Sequence, residues 1–133
     1  MGDESIQLGQ DGEQVASLYL RSCGWDILHN NWRFERGEID IIGRRMECRY
    51  GMPVEVLVFV EVKTRRLSGA YEPEDAVDFR KRRTIIRGAS LYMQQHQLHH
   101  VSVRFDVIGL IKQTTGYDLR HQKCAFDASG VVF

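Results

Sequence analysis

The sequence predicts an α/β domain, a mixed β-sheet flanked by helices in the order α-β-β-β-α-β-β. Three observations predict it. Residues 55–64 place Val56, Val58, Val60 and Val62 in a run of β-branched side chains long and apolar enough for a central, well-covered strand. Two stretches with helical spacing bracket the first three strand-like runs, and helices alternating with strands in this way sandwich a sheet. The 133 residues, 43% hydrophobic, suit one compact domain with one core.

Each element can be argued in turn. Residues 1–8 read as a flexible arm ahead of a single domain over 9–133. A helix is expected over 10–23, where Val15, Leu18 and Tyr19 show the i, i+3, i+4 spacing and Ala16, Leu20 and Cys23 widen the apolar arc. Gly24 supplies its stop. Glu13 lies at the border of that arc, along the edge of the core. Strands follow over 25–33 and 37–44, with Arg36-Gly37 as the turn between them. Gly51 and Pro53 mark 46–53 as a hairpin loop, and 55–64 is the third strand. Pro73 followed by Glu74 and Asp75 is a good helix start, and this helix should run to Gln95 with Val77, Ile85, Ala89 and Tyr92 inward. A fourth strand is expected over 101–112, with Val103, Phe105 and Val107 alternating against Arg104, Asp106 and Ile108. Thr115-Gly116 is a turn, and 117–126 adds an edge strand.

Composition sets limits on function. No apolar run reaches the length of a membrane span, so no membrane partner is expected. The acidic, polar residues 1–14 lack the basic and apolar regions of a signal peptide, which points to the cytoplasm. Three widely spaced cysteines, Cys23, Cys48 and Cys124, read as reduced thiols there. The formal net charge is zero, which argues against strong nonspecific nucleic-acid binding. The distribution is less even than the sum. Lys63, Arg65, Arg66, Arg80, Lys81, Arg82, Arg83 and Arg87 cluster in the middle third, leaving room for a local basic face.

The chemistry concentrates on two strands. Gly37-Glu38-Ile39-Asp40-Ile41-Ile42 and Val58-Phe59-Val60-Glu61-Val62-Lys63-Thr64-Arg65 bring Asp40, Glu61 and Lys63 onto paired strands. Alternation puts Glu61 and Lys63 on one face while Val58, Val60 and Val62 take the other. Magnesium or manganese needs only one or two carboxylates beside a phosphate, and Asp40 and Glu61 are the obvious candidates. The backbone carbonyl of Val62 is a further candidate ligand, and Glu13 a third carboxylate. Lys63 beside such a site can orient an attacking water or neutralise charge growing on a phosphate. The same residue types also form plain cross-strand ion pairs on solvated sheets, and spacing alone leaves both readings open.

These two motifs together resemble the signature of the YraN-like family of bacterial proteins. That family is grouped with Holliday-junction-resolvase-like members of the PD-(D/E)XK nuclease superfamily. Gly12-Glu13, Ala76-Val77 ahead of Lys81, Arg104-Phe105-Asp106-Val107 and Ala125-Phe126 follow in the same order, so the similarity spans residues 9–126. The resemblance implies a restriction-endonuclease-like core and Mg²⁺ or Mn²⁺ at Asp40 and Glu61. It implies Lys63 as catalytic lysine and Glu13 as a helix-borne acid of the site. It further implies hydrolysis of DNA phosphodiester bonds, on branched or otherwise structured DNA. The superfamily's usual Pro-Asp is absent, since Ile39 precedes Asp40, but proline is not a ligand. The segment 46–54 is longer than expected for the family. One site cuts one strand, so cutting both strands calls for a weak or DNA-assisted homodimer. The rival function is a nuclease-fold module that binds DNA or a protein without cutting.

Other residues weigh less. Arg65 and Arg66 follow the catalytic strand directly and are well placed for phosphates, and Lys81 is the best DNA-contact candidate of the helix run 80–83. His96, His99 and His100 lack the partners of a zinc site and suit a helix C-terminus. Trp25 and Trp32 read as buried strand aromatics, and Asp106 as a structural partner for an arginine or a backbone group.

Overall fold

The structure, a computed structural model, describes residues 2–66 and 78–128, with side chains from Asp11 onward. Helix α1 (Gly2–Ser22) is followed by β1 (Asp26–Phe34), β2 (Gly37–Arg49) and β3 (Met52–Arg66). Helix α2 (Phe79–Gln95), β4 (Ser102–Gln113) and β5 (Gly116–Phe126) complete the chain. The strands form one five-stranded sheet in the order β1-β2-β3-β4-β5. Only β3 and β4 run parallel; the other neighbours are antiparallel. Parallel neighbours need a crossover, and α2 lies within it.

The helices cover opposite faces. Ala16 and Leu20 of α1 pack on Trp25, Ile41, Val56, Val58, Val60, Ile108 and Leu110. On the other face Ile85, Ala89 and Tyr92 of α2 pack on Ile39, Ile42, Leu57, Phe59, Phe105 and Val107. Val56 through Val60 are fully buried, as a strand in mid-sheet under two helices should be.

The boundaries differ from expectation in four places. The backbone of α1 is helical from Gly2, so residues 2–8 belong to the helix and not to a separate arm. Within α1 the buried arc centres on Ala16 and Leu20, while Leu18 and Cys23 are exposed. The expected hairpin loop is paired almost to its tip, with Arg49 opposite Met52. Tyr50 and Gly51 have φ of 53° and 76°, the positive values that a tight two-residue hairpin turn demands. Pro53 fits because the ladder to β4 starts only at Val56, so this part of β3 is an edge. Finally, α2 starts at Phe79: Asp78 is extended (φ −79°, ψ 175°) and caps the helix by accepting the Lys81 N–H at 2.8 Å. Pro73, Glu74, Asp75, Ala76 and Val77 lie outside the described residues.

Two glycines matter for placing the site. Gly24, φ 93°, ends α1: Trp25 N–H reaches Leu20 and Gly24 N–H reaches Arg21, the paired bonds of a Schellman stop. Gly12 lies directly on β3, where a Cβ would collide with Thr64 Oγ1. The bare backbone at Gly12 is what lets α1 bring Glu13 against the end of the sheet.

Candidate active site

The site forms where β2 parts from β3. Their ladder ends at the pair Ile41–Val60, and beyond it β3 pairs only with β4. Alternation along β2 also breaks here: Ile39 and Ile42 face α2, whereas Ile41 faces α1. On β1 the corresponding residue is Asn31, which lies between the pairs Asn30–Ile41 and Trp32–Ile39 and has φ of 55°. Asparagine tolerates that left-handed geometry better than most residues. The distortion turns Asp40 toward the vacated edge, and its Oδ2 accepts the N–H of Val62 at 2.8 Å. A side chain thus takes the place of a ladder bond. N–H and C=O of one strand residue point to the same side, so the Val62 carbonyl is directed to this edge as well.

Glu61 faces α2 on the same side as Phe59 and Leu57, opposite Val58, Val60 and Val62, in agreement with the predicted alternation. Its side chain is only 4% exposed. Oε1 takes the Lys63 ammonium at 3.2 Å and the Lys81 ammonium, from α2, at 3.7 Å. Oε2 is buried with no hydrogen-bond partner. Orphaned buried carboxylate oxygens are costly and rare.

More acid surrounds this pair. Oxygens of Glu13, Glu38 and Asp40 all lie within 4.8 Å of one another. Burial, then the Glu61 carboxylate, then Glu13 push Asp40 up to about 8, against the opposing pull of the Val62 N–H. Glu13 is raised too, first by burial and then by Glu38 and Glu61, while a hydrogen bond with Asn31 pulls the other way. Of these four carboxylates Glu38 already pairs with Arg33 at 3.2 Å, which leaves Glu13, Asp40 and Glu61 against two lysines. A divalent cation fits this donor set. It would satisfy the orphaned oxygen and relieve the like-charge repulsion, and hard oxygen ligands are what magnesium and manganese prefer.

Asp40, Glu61, Lys63 and Glu13 are thus brought together, and Val62 joins them through its backbone. Lys81 comes in to Glu61 instead of standing out on the helix surface. Arg65 and Arg66 continue β3 past the site, with Arg65 donating to the Thr64 carbonyl at 3.0 Å. Glu38 was not among the expected site residues. Its signal was present, two positions before Asp40 in Gly37-Glu38-Ile39-Asp40. Asn31 carried no signal beyond an Asn-Asn pair inside a strand. Beside Glu13 an open groove of about 600 Å³ runs between α1 and β1 past Ser17, Arg21, Asn30 and Asn31.

The residues set aside fall where expected. His96 caps α2, with Nδ1 2.9 Å from the Tyr92 carbonyl and its ring stacked on Tyr92. Among the described residues, Glu13, Glu38 and Asp40 are the one group of three or more such side chains whose ligand atoms lie within 4.8 Å of one another, and no histidine belongs to it. Trp25 is buried between the Arg45 and Arg104 guanidinium groups. Asp106 is fully buried and bound by Arg104, the Cys124 N–H and His121. Burial alone would raise its pKa, but His121 and Arg104 hold it below the usual carboxylate value.

Comparison with known proteins gives the chain its place. A family model matches residues 12–110, from the helix that carries Glu13 to the end of the β4 core. The chain belongs to the uncharacterised protein family UPF0102. It is 39% identical over 124 residues to a UPF0102 protein of Lawsonia intracellularis, covering 93% of this chain and 88% of the relative. It is 38% identical to one from Parabacteroides distasonis, covering 91% and 93%. The match to a Nocardia farcinica UPF0102 protein is 37%, covering 95% and 93%. Every acid and lysine of the site in this UPF0102 chain lies inside the matched span. No helix among the described residues is long and apolar enough to cross a membrane.

Proposed function

We propose that this protein is a Mg²⁺- or Mn²⁺-dependent endonuclease that hydrolyses DNA phosphodiester bonds, on branched or otherwise structured DNA. The observation that carries the reading is the buried Glu61 carboxylate. One oxygen is orphaned, the other is held by two lysines, and the Glu61 charge is close enough to raise both Asp40 and Glu13. The resemblance of the two strand motifs to resolvase-like members of the PD-(D/E)XK superfamily supports the same reading. A cross-strand ion pair on a solvated face would be exposed and fully partnered, and Glu61 is neither.

Asp40 and Glu61 would hold the cation, with Glu13, Glu38 and the Val62 carbonyl next to it. Bound there, the ion lowers the pKa of a water and polarises the phosphoryl group. The chain's own groups do the rest. Lys63 stands at the carboxylate with a mobile ammonium that can position the attacking water or neutralise charge on the phosphate oxygens. Lys81 offers a second ammonium from the α2 side. Attack in line at phosphorus forms one P–O bond and breaks the bond to the 3′ oxygen, which leaves with a proton. Arg65 and Arg66, at the end of β3, lie on the path a DNA backbone would take away from the site. One such site cuts one strand, so two-strand cutting requires a second copy, weakly associated or assembled on the DNA.

The test is cleavage of nicked, forked, flapped and four-way DNA with Mg²⁺ or Mn²⁺. Wild type should cut at least one of these and Glu61→Gln none. Cation and DNA binding without any cutting would favour the binding module instead.

A further inference from the structure

We propose that Phe79, on the first turn of α2, is a stacking platform for an unpaired base of the DNA substrate, set in a basic stripe that holds the flanking phosphates. The inference rests on the nuclease reading for the identity of the polyanion. Its own observations are separate from the acid cluster.

Phe79 is 53% exposed, whereas Phe59, Phe105 and Phe126 are buried and Phe34 packs against the core. The helix does not need it there, because Asp78 supplies the cap and Ile85, Ala89 and Tyr92 supply the buried face. A ring left in water by a chain that buries its other described phenylalanines suggests a use outside the core. Its surroundings name the partner's charge. From Asp78 to the end of α2 the sequence holds Arg80, Lys81, Arg82, Arg83 and Arg87 against one acid, in a protein whose formal net charge is zero. Arg82 and Arg83, three and four residues on, bring their guanidinium groups to 5.8 and 5.7 Å from the ring centroid. Arg83 and Arg87 continue along the exposed side of the helix.

An aromatic face ringed by guanidinium groups is how proteins hold single-stranded nucleic acid: the ring takes a base, the cations take the backbone, and no base sequence is read. A paired duplex hides its base faces, so the platform acts only where strands are open. The location is consistent with substrate selection. Phe79 is two residues from Lys81, whose ammonium lies 3.7 Å from Glu61, so the ring projects from the other side of the same turn, about one helix diameter, roughly 10–12 Å, from the Lys81 side. A fork or junction seated at the acids would present its unpaired nucleotides within reach of α2.

The test is fluorescence anisotropy in EDTA, with labelled oligothymidylate and a blunt duplex as probes. Phe79→Ala should bind oligothymidylate about 5- to 100-fold more weakly than wild type, with duplex binding changed less than about 2-fold. Phe79→Leu, which keeps apolar bulk and helix propensity but has no π face, should behave like Phe79→Ala, and Phe79→Trp should restore wild-type affinity. Thermal melting checks that the variants fold. Wild-type oligothymidylate affinity in Phe79→Ala or Phe79→Leu would overturn the platform while leaving a nuclease reading intact. Equal losses on both probes would overturn it as well, since stacking cannot weaken a duplex contact. Failure of wild type to bind any DNA would overturn both.

Discussion

At the scale of single residues, Asp40 carries the clearest consequence. Its pKa rises from 3.8 to about 8 in the folded, metal-free protein, first through burial and then through Glu61. Between those values the folded chain holds a proton that the unfolded chain has released, so stability falls as pH rises from about 4 to about 8 and levels off above. Asp40→Asn should flatten this slope and stabilise the metal-free protein at the alkaline end of that window by about 0.5–2 kcal/mol, as removal of strained functional charge commonly does. Chemical denaturation across pH in EDTA checks it. The same linkage makes cation binding expel a proton and tighten up to the Asp40 pKa. The lysines separate in another way. Lys63→Ala should lose about 10²–10³-fold in turnover without weakening cation or DNA binding, the usual cost of removing one charge-stabilising group. Lys81→Met removes a cation from Glu61 Oε1, so it should tighten Mn²⁺ by about 2- to 5-fold, the scale of a partly exposed pair. The shared face of Glu61 and Lys63 was legible because alternation on a strand fixes which side chains lie together. Glu38 went unread because the break in alternation at Asp40 is a tertiary feature. So is the orphaned oxygen of Glu61, which depends on how a helix far along the chain packs over it.

At the scale of elements, the site is held by the docking of α1 as much as by the strands. Gly12→Ala should push α1 off Thr64, cost about 1–3 kcal/mol of stability, and weaken cation binding through Glu13 without touching Asp40 or Glu61. Thermal melting together with Mn²⁺ titration of that variant measures both effects. A second device braces the far side of the sheet. Arg104 and Asp106 of β4, His121 and the Cys124 N–H of β5 and Tyr19 of α1 form one half-buried network around the buried Asp106, with Tyr19 Oη 2.9 Å from His121 Nδ1. Asp106→Ala leaves Arg104 with only the Glu47 carboxylate, at 3.9 Å, and should cost about 3 kcal/mol, the lower end for breaking a buried pair, read by urea unfolding. The order and type of every element could be read from the 2.0- and 3.6-residue periods of the sequence. The misplaced ends have local causes. Gly51 and Pro53 signal a loop in isolation, yet a two-residue turn and an edge position accommodate both. Asp78, extended and accepting the Lys81 N–H, sets the start of α2 at Phe79.

At the scale of the whole molecule, a neutral sum conceals a divided surface. The acids converge at one end of the β2–β3 pair, and the basic residues of α2 and of the end of β3 border them. If three or four of these cations meet phosphates, DNA affinity should fall roughly 50- to 150-fold between about 50 and 200 mM salt, far less than for a strongly basic protein. The chain belongs to UPF0102 and is 37–39% identical to three of its members over nearly its full length. The central, covered position of β3 was legible because a buried strand must be apolar on both faces, whereas the order of strands in the sheet was not read from the sequence. The division of charge was legible only in part, since the sequence orders charges along a line and not around a surface.

The central claim is that Asp40 and Glu61 converge to share a single divalent cation, and calorimetric titration of Mn²⁺ into the wild type, Asp40→Ala and Glu61→Gln tests it most directly. Saturable binding in the micromolar to millimolar range by the wild type, weakened more than about tenfold in each variant, is the predicted result. A wild type without saturable heat, or variants that bind as the wild type does, would contradict it.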